Sequence, residues 1–424
     1  MNADPAILLD VTRLISRLDK GPATGIDRVE AEWLGYLSES DASHLLLARV
    51  WRGQLVLPSS AGKLILRWLS GDLGDLPEPR LIDRLRRRSD ASARAEIALR
   101  DMALLRSGPT GRGISRFVLD HLGKDAAYLN VGHSNLNASL WSHLAPLCRV
   151  LLIHDTIPMD HPEFTRAGQS GRFRERFAAG VGHADLILSI SEASRVDLLR
   201  WRDELKLPTR TPVVTTPIGT RITAPSARGL PAGLDLGRPF FLSIGTIEPR
   251  KNHALLLDAW QELTRRMPPA RMPQLFIIGR RGWENHEVFA RLDGLTPADG
   301  VHELSGLDDA AVAELFERCH GLLMPSRAEG FGLPLTEAAA RGVPVICSPL
   351  PVARELLGDY AHYLSPDDHR AWAGAVSLLA GELPLRMAAL PVPQWQAHFD
   401  LVNAALRERL HLKVVRDMPA KTVK

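Results

Sequence analysis

Gly321-Leu-Leu-Met-Pro-Ser-Arg-Ala-Glu-Gly-Phe-Gly-Leu-Pro-Leu-Thr-Glu337 is the stretch on which the reading of this chain turns. It opens with an apolar run, Gly321-Leu-Leu-Met324, short enough for a buried strand. A loop with two glycines, Gly330 and Gly332, follows. Pro334 suits the first position of a helix, where its missing N–H costs nothing, and Gly342 after the alanines is a stop signal. Val343-Pro-Val-Ile-Cys347 reads as a second buried strand. Strand, glycine loop, helix and strand together present backbone N–H groups to an anion. Two carboxylates, Glu329 and Glu337, flank that loop. A bare phosphate cradle gains nothing from them, but an ionised carboxylate accepts from a vicinal diol. Phosphate plus diol points to a nucleotide sugar.

The same grammar extends in both directions. Downstream of a stretch rich in Pro, Gly, Ser and Ala (Pro217 to Pro239), Phe240-Phe-Leu-Ser-Ile244 starts a sheet. Gln274–Ile278 and Val301–Glu303 continue it, with helical patterns after Asn252 and over Asp308–Arg318. Further helices are expected over Val352–Leu357 and from Asp368, with Ala361–Leu364 between them. Trp395, Phe399, Leu401, Val402, Ala405 and Leu406 mark a last amphipathic helix, and the polar tail from Lys413 is expected to fray. Upstream, Ala6–Leu9 is a first strand, and Thr24-Gly25 opens a helix carrying Val29, Trp33, Leu34 and Leu37. No G-x-G-x-x-G follows that strand, which weakens a dinucleotide-oxidoreductase reading. His44–Trp51 and Gln54–Leu57 read as a hairpin. Strands over Ala127–Val131, Arg149–Ile153, Ala184–Ile190 and Val213–Thr215 alternate with helices such as Arg172–Gly180 and Glu192–Arg202. Alternating strands and helices describe an α/β fold with parallel sheets and a site at their carboxyl edges, where His133, His154 and Asp155 would line one crevice. A satisfied polar residue at a strand end is the alternative reading of either histidine.

The expected organisation is a first domain over 1–216, a linker over 217–239, a second domain over 240–385, a terminal helix over 386–412 and a tail over 413–424. A chain of 424 residues is enough for two or three domains of ~150 residues. Hydrophobic content of 45% and charged content of 24% suit a soluble globular protein. A net charge of +3 is too mild to argue for nucleic acid. Cys148, Cys319 and Cys347 are scattered without disulfide or metal spacing, so a reducing compartment is expected. The N-terminus lacks a signal-peptide pattern and no apolar run reaches ~18 residues, so a cytoplasmic protein, at most peripheral to a membrane, is expected. Residues 77–116 carry ten arginines, among them Arg86, Arg87 and Arg88, interleaved with leucines and isoleucines. They read as one or two basic amphipathic helices, either attracted to anionic lipid headgroups or to a lipid-diphosphate acceptor, or simply a solvated face.

The spacing also carries a family resemblance. Glu-Gly-Phe-Gly-Leu-Pro-Leu-Thr-Glu over 329–337, with Pro325-Ser326 before it and Gly342-Val-Pro-Val-Ile346 after it, resembles the paired-glutamate motif of family-4 retaining glycosyltransferases. The resemblance is nearly continuous from Phe240 to about Asp367. It implies the GT-B fold: two Rossmann-like domains across a cleft, with the terminal helix crossing back to the first. It implies that Arg250 and Lys251 meet the donor diphosphate, and that Gly330, Phe331, Gly332 and Leu333 offer backbone N–H groups. Glu337 would hold the ribose hydroxyls, Glu329 would lie near the donor sugar, and His133 would meet that sugar. His154 and Asp155 match a common cleft position, and Gly25 lies in a loop near the donor phosphates. Thr24–Val29 resembles a subset of bacterial surface-polysaccharide transferases. The implied partners are a nucleotide-sugar donor, with GDP-mannose favoured weakly, and a lipid-linked glycan acceptor. No cofactor or metal is implied, and no Asp-x-Asp occurs in the chain, as a GT-B site allows. Pro349–Glu355 departs from the family's usual Leu-Pro-Glu-Val run. The rival readings are another GT-B enzyme (a phosphorylase or a nucleotide-sugar epimerase) and a non-catalytic glycan-binding scaffold.

Overall fold

The strands fall into two sheets, each built around an apolar centre. A computed structural model describes residues 4–21, 23–78, 90–381 and 383–417. The first sheet contains β1 (Ile7–Asp10), β2 (His44–Val50), β3 (Gly53–Pro58), β4 (Leu105–Ser107), β5 (Ala127–Asn130), β6 (Cys148–Ile153), β7 (Leu186–Ser189) and β8 (Val213–Thr215). Its order is β4-β3-β2-β1-β5-β6-β7-β8. The second contains β9 (Phe240–Ile244), β10 (Gln274–Ile278), β11 (Val301–Leu304), β12 (Gly321–Met324), β13 (Val345–Cys347) and β14 (His362–Tyr363), in the order β11-β10-β9-β12-β13-β14. All pairings are parallel except β2–β3 and β3–β4. Parallel strands are covered by helices on both faces, and Leu242, Phe276 and Leu322 are accordingly fully buried. Strand order reverses beside β1 in one sheet and beside β9 in the other. Such switch points open a crevice at the carboxyl ends of the strands. In the second domain they bring the loop after β9 next to the loop after β12, although Arg250 and Glu329, on those two loops, are 79 residues apart in the chain.

Three expectations change. The stretch 77–116 is not simply helical: a helix spans Ala91–Met102, β4 then pairs antiparallel at the sheet edge, and the next helix begins at Ile114. Leu105 and Ser107 gain ladder bonds there, which local helical pattern could not foresee. Residues 79–89, including Arg86, Arg87 and Arg88, lie outside the described residues. Pro334 is the second residue of its helix, Leu333–Ala340, because Gly332 caps it with φ at 92° and Leu333 takes the first position. The last helix runs Trp395–Asp417, past Lys413. Among the described residues, no helix is long and apolar enough to cross a membrane.

That last helix belongs energetically to the first domain. Phe399 stacks on Tyr36 at 4.1 Å and meets Trp33 edge-on at 4.9 Å. Val402 and Leu406 are fully buried in the same core. Trp33 Nε1–H donates to His398 Nε2 at 3.1 Å, so the His398 Nδ1–H donates to the Thr216 carbonyl at 3.0 Å. Burial holds that imidazole neutral, its pKa pushed down to about 4. The chain therefore returns from the second domain to complete the core of the first. Phe399→Ala should destabilise the first domain by ~3–5 kcal/mol, whereas Leu401→Ala, whose side chain on the same helix is 46% exposed, should change stability by less than ~0.5 kcal/mol. Calorimetric melting of the two variants checks this; equal shifts would deny the helix its place in that core.

Candidate active site

The second domain supplies the charged half of the site. After β9 the chain makes a 3-10 turn, Pro249–Lys251, and Asn252 turns left-handed (φ 56°) into the helix His253–Arg266. The Asn252 amide donates to the carbonyls of Pro325 (3.2 Å) and Pro366 (2.8 Å), tying this turn to the loop after β12. Arg250 and Lys251 thereby converge on one carboxylate. Lys251 Nζ lies 2.6 Å from Glu329 Oε1, and Arg250 Nη1 lies 2.8 Å from Glu329 Oε2. Arg250 also donates to the Ala328 carbonyl and to Glu248. The Glu329 and Glu248 side chains are only 7% and 4% exposed, so both charges need these partners. Burial pushes the Glu329 carboxyl up, but Lys251 and Arg250 outweigh it and bring its pKa down to about 2. Burial draws the Lys251 ammonium below its ordinary value, and Glu329 opposes that shift.

Beyond Glu329 the loop is open in its hydrogen bonding. Among the described residues, the N–H groups of Gly330, Phe331 and Gly332 donate to no protein acceptor. The Phe331 ring is buried in the core of the first domain and Leu333 packs beside it, so this loop is clamped across the cleft. Ser191 and Ser194 hydroxyls donate to the Gly330 carbonyl at 3.1 and 3.2 Å. A Cβ at Gly330 would sit 2.7 Å from the His154 carbonyl oxygen and 3.0 Å from Asp155 Cβ, so only glycine permits the approach. Glu337, one turn into the helix, accepts from Arg28 of the first domain at 3.2 Å. Burial raises its pKa, and Arg28 opposes that shift.

The first domain places its polar residues at the carboxyl ends of β5 and β6. His133 is left-handed (φ 55°), and its Nε2 lies 2.9 Å from the Leu152 carbonyl. His154 Nε2 lies 2.7 Å from the Val131 carbonyl, and the rings meet at 4.9 Å. The His154 ring donates to its carbonyl, whereas His133 Nε2 faces both the Leu152 carbonyl and, at 3.3 Å, the His154 N–H, so it donates to the one or accepts from the other. Burial holds both imidazoles neutral, His154 with a pKa of about 4 and His133 well below its ordinary value. His154 is buried and fastens strand ends; His133 is half-buried at the crevice wall. Asp155 lies beside Gly330, close enough to Arg250 and Glu329 to feel both charges. Gly25 is the first residue of the helix Gly25–Glu39, capped by Thr24 in a reciprocal bond with Asp27. Its surroundings are open: nothing would lie within 4 Å of a Cβ placed there.

Arg28, Glu248, Ser191, Ser194 and Glu30 escape a linear reading. Glu248 sits two residues before Arg250, and Arg28 sits within Thr24–Val29, so local signals existed for both. The serines had none, because their partner is a backbone carbonyl 139 and 136 residues away. Glu30 is fully buried; its Oε1 accepts from the Leu14 N–H, and its Oε2 has no partner among the described residues. Burial and then Asp10 raise its pKa well above the carboxylate range.

The site can therefore present two cations fixed by a carboxylate, three free loop amides and a second carboxylate one helical turn on. Its pH behaviour centres on Asp155, where burial, opposed by Arg250, raises the pKa to about 6. A carboxyl whose folded pKa lies above its unfolded value of 3.8 binds its proton more tightly when folded. Stability is then lost as pH rises from about 4 to about 6. Asp155→Asn should stabilise the protein by roughly 3 kcal/mol at pH 7.5 and by little at pH 4, since the rise from 3.8 to about 6 is some two tenfold steps in proton affinity, each worth ~1.4 kcal/mol. Denaturant melts at both values check the sign; a pH-independent difference would remove Asp155 titration as its cause.

Against known proteins, residues 231–387 match the family model of glycosyl transferases group 1. The chain is 31% identical over 227 residues to the serotype-specific mannosyltransferase WbdA of Escherichia coli, a match covering 50% of this chain and 27% of that protein. It is 31% identical to the O-antigen chain mannosyltransferase B of Escherichia coli, covering 52% of this chain and 58% of that one. It is 44% identical over 142 residues to the O-antigen chain mannosyltransferase RfbU of Salmonella typhimurium, covering 32% and 37%. These matches therefore span between 27% and 58% of the length of the three relatives. Among solved structures, sucrose-phosphate synthase of Thermosynechococcus elongatus superposes with a TM-score of 0.58 at 16% identity, over 97% of this chain and 98% of that one. Anabaena HepE in complex with UDP and glucose superposes with a TM-score of 0.57 at 15% identity, over 97% and 100%. The chain has the GT-B fold, matches the glycosyl transferases group 1 model over its second domain, and resembles the mannosyltransferases of surface-polysaccharide assembly.

Proposed function

We propose that this protein is a retaining glycosyltransferase that moves a hexose from a nucleotide sugar to a lipid-linked surface glycan, without a metal. The observation that carries this reading is Glu329 gripping Arg250 and Lys251 at the mouth of the open-amide loop that leads to Glu337. Mannose, carried by GDP, is the favoured hexose because three of the similar proteins bear mannosyltransferase names. A phosphorylase or an epimerase would share the fold, and a scaffold would not need the buried cations.

In this mechanism the bond from the sugar's anomeric carbon to the diphosphate oxygen breaks, and a new bond forms to an acceptor hydroxyl on the same face. The acceptor proton passes to the departing nucleoside diphosphate. Arg250, Lys251 and the amides of Gly330, Phe331 and Gly332 stabilise the charge that develops on that leaving group. Glu329 holds the two cations in place, and its own charge keeps the buried Lys251 protonated. Glu337 accepts from the ribose diol. His133 meets the donor sugar, Asp155 lines the cleft beside it, and the closed cleft keeps out water, a competing acceptor. Absence of Asp-x-Asp from the sequence supports cations from the chain in place of a metal.

Incubation with GDP-mannose and a lipid-linked acceptor, with the product's anomeric configuration read by NMR, tests the reading; an inverted product or none with any nucleotide sugar would refute it. Activity should survive excess EDTA, and silencing by EDTA with rescue by Mn²⁺ would overturn the metal-free mechanism. The two glutamates should separate kinetically. Glu337→Gln removes an interaction made before and during the reaction and should raise the donor KM roughly ten- to a hundredfold, with kcat less affected. Glu329→Gln should fall mainly on kcat. It should also move the alkaline limb of kcat/KM to lower pH, since the Lys251 ammonium loses its counter-charge. An unmoved limb would mean that Glu329 does not hold that proton.

A further inference from the structure

Arg28 sits in the first turn of the helix Gly25–Glu39, and its neighbour Asp27 anchors that turn. The Asp27 side chain is 2% exposed; its carboxylate accepts from Arg13 Nε at 2.6 Å, from Arg17 Nε at 3.2 Å and from the Thr24 N–H at 2.8 Å. With Asp27 held inward, the Arg28 side chain crosses to the second domain. There its two terminal nitrogens divide between carboxylates on different helices. Nη1 lies 3.2 Å from Glu337 Oε1, on the helix Leu333–Ala340, and Nη2 lies 2.5 Å from Asp309 Oδ1, on the helix Asp309–Arg318. Among the described residues, Arg28 is the side chain that donates to Glu337, and Glu337 Oε2 accepts from no protein group. Burial raises the Glu337 pKa, Arg28 opposes that shift, Asp309 adds to it, and Arg341 opposes it to a lesser extent. Arg341 is already engaged, with Nη1 at 2.8 Å from Glu317 and Nη2 at 2.5 Å from the Thr223 carbonyl. The first domain therefore supplies the counter-charge that a mostly buried Glu337 needs, and it does so only while the domains are together. The planar guanidinium fixes the direction of the carboxylate oxygen it holds. With Oε1 so held, Oε2 is the atom left for a ligand hydroxyl.

We propose that Arg28 is a positioning residue for the nucleotide: from the first domain it sets the Glu337 carboxylate for the ribose diol, so that the ribose is recognised only across the closed cleft. This inference rests on the reading of Glu337 as the carboxylate that accepts from that diol, and adds the residue that makes it competent. Nucleotide binding and closure are then coupled, because what favours the Arg28–Glu337 contact favours the ribose, and the reverse holds. Arg28 acts through Glu337, so its effect falls on donor affinity rather than on the bond-breaking step. The ion pair of Arg221 with Glu32 ties the next turn of the same helix to the linker without touching Glu337, and serves as a control.

Calorimetry on the full chain measures the binding of GDP, UDP and ADP, each also as its 2′,3′-dideoxy form, and the tightest ribonucleotide is carried forward. The parent should bind it roughly ten- to a hundredfold more tightly than its dideoxy form. Arg28→Gln should weaken the ribonucleotide by about tenfold and leave the dideoxy form unchanged, so that the ratio collapses. Arg28→Lys, which keeps the charge, should recover part of it. The double variant Arg28→Gln/Glu337→Gln should bind no more weakly than Glu337→Gln alone, since the two residues act as a unit. Arg221→Gln should keep the parent ratio. In turnover, Arg28→Gln should raise the donor KM with kcat less affected, and the ligand-free melting temperature should shift by no more than about 3 °C, as for an exposed ion pair. A ratio unchanged by Arg28→Gln, or an equal weakening of both nucleotides, overturns the proposal. If Glu337→Gln removes the ratio and Arg28→Gln does not, Arg28 alone is struck and the reading of Glu337 stands. If Glu337→Gln keeps the ratio, or the parent binds the ribose and dideoxy forms alike, the ribose role of Glu337 fails and this inference with it.

Discussion

One carboxylate organises the second domain's contribution to the cleft. Glu329 is almost fully buried and would be costly to keep ionised alone, yet Lys251 and Arg250 bring its pKa down to about 2. The dependence is mutual, because a buried ammonium is equally costly without a counter-charge. The quartet of Glu248, Arg250, Lys251 and Glu329 therefore forms together or not at all. It locks the turn after β9 to the loop after β12, and the free amides of that loop inherit their positions from it.

The cleft closes on the same loop. Gly330 places its carbonyl under Ser191 and Ser194, Phe331 inserts into the first domain's core, and Arg28 reaches over to Glu337 and Asp309. Further contacts frame these, with Arg221 on Glu32, Glu355 accepting from the N–H groups of Glu192 and Ala193, and Trp283 on Phe164. Most are polar and partly exposed. Such contacts are individually weak, as surface ion pairs are, which suits the proposed transferase, whose domains would part to exchange substrate and product. Phe331, with Leu333 and Leu356 packed against the same core, supplies the apolar part, and Phe331 sits on the loop that carries the proposed donor site.

The terminal helix makes the two domains interdependent in a different way. Its aromatic face completes the first domain's core after the chain has already built the second. The Thr220 N–H donates to the Pro393 carbonyl where the two crossings of the chain meet, and Thr220 Oγ1 donates to Thr336 at the base of the loop helix. Linker, terminal helix and donor loop thus share one junction.

The sequence by itself determined the strand–loop–helix unit at 321–347, the alternation of strands and helices in both halves, and the type of chemistry its charged residues carry. Those features are local: hydrophobic period, the glycines of the loop, and carboxylates at fixed spacing act within a few residues of one another. Only the tertiary structure decided which charges meet. Arg250 and Lys251 read as free cations for a diphosphate, and the switch point beside β9 shows them already engaged with Glu329. His133 and His154 read as residues of one crevice, and the register of β5 and β6 turns His154 onto the Val131 carbonyl and His133 onto the Leu152 carbonyl and the His154 N–H. Arg28, Ser191 and Ser194 find their partners across the domain boundary, and β4 finds its partner at a sheet edge within a stretch that reads as helix. The physical reason is the same in each case: a hydrogen bond or an ion pair is satisfied by whatever lies within about 3 Å, and in a two-domain chain that neighbour is set by strand order and domain closure, which no local pattern encodes.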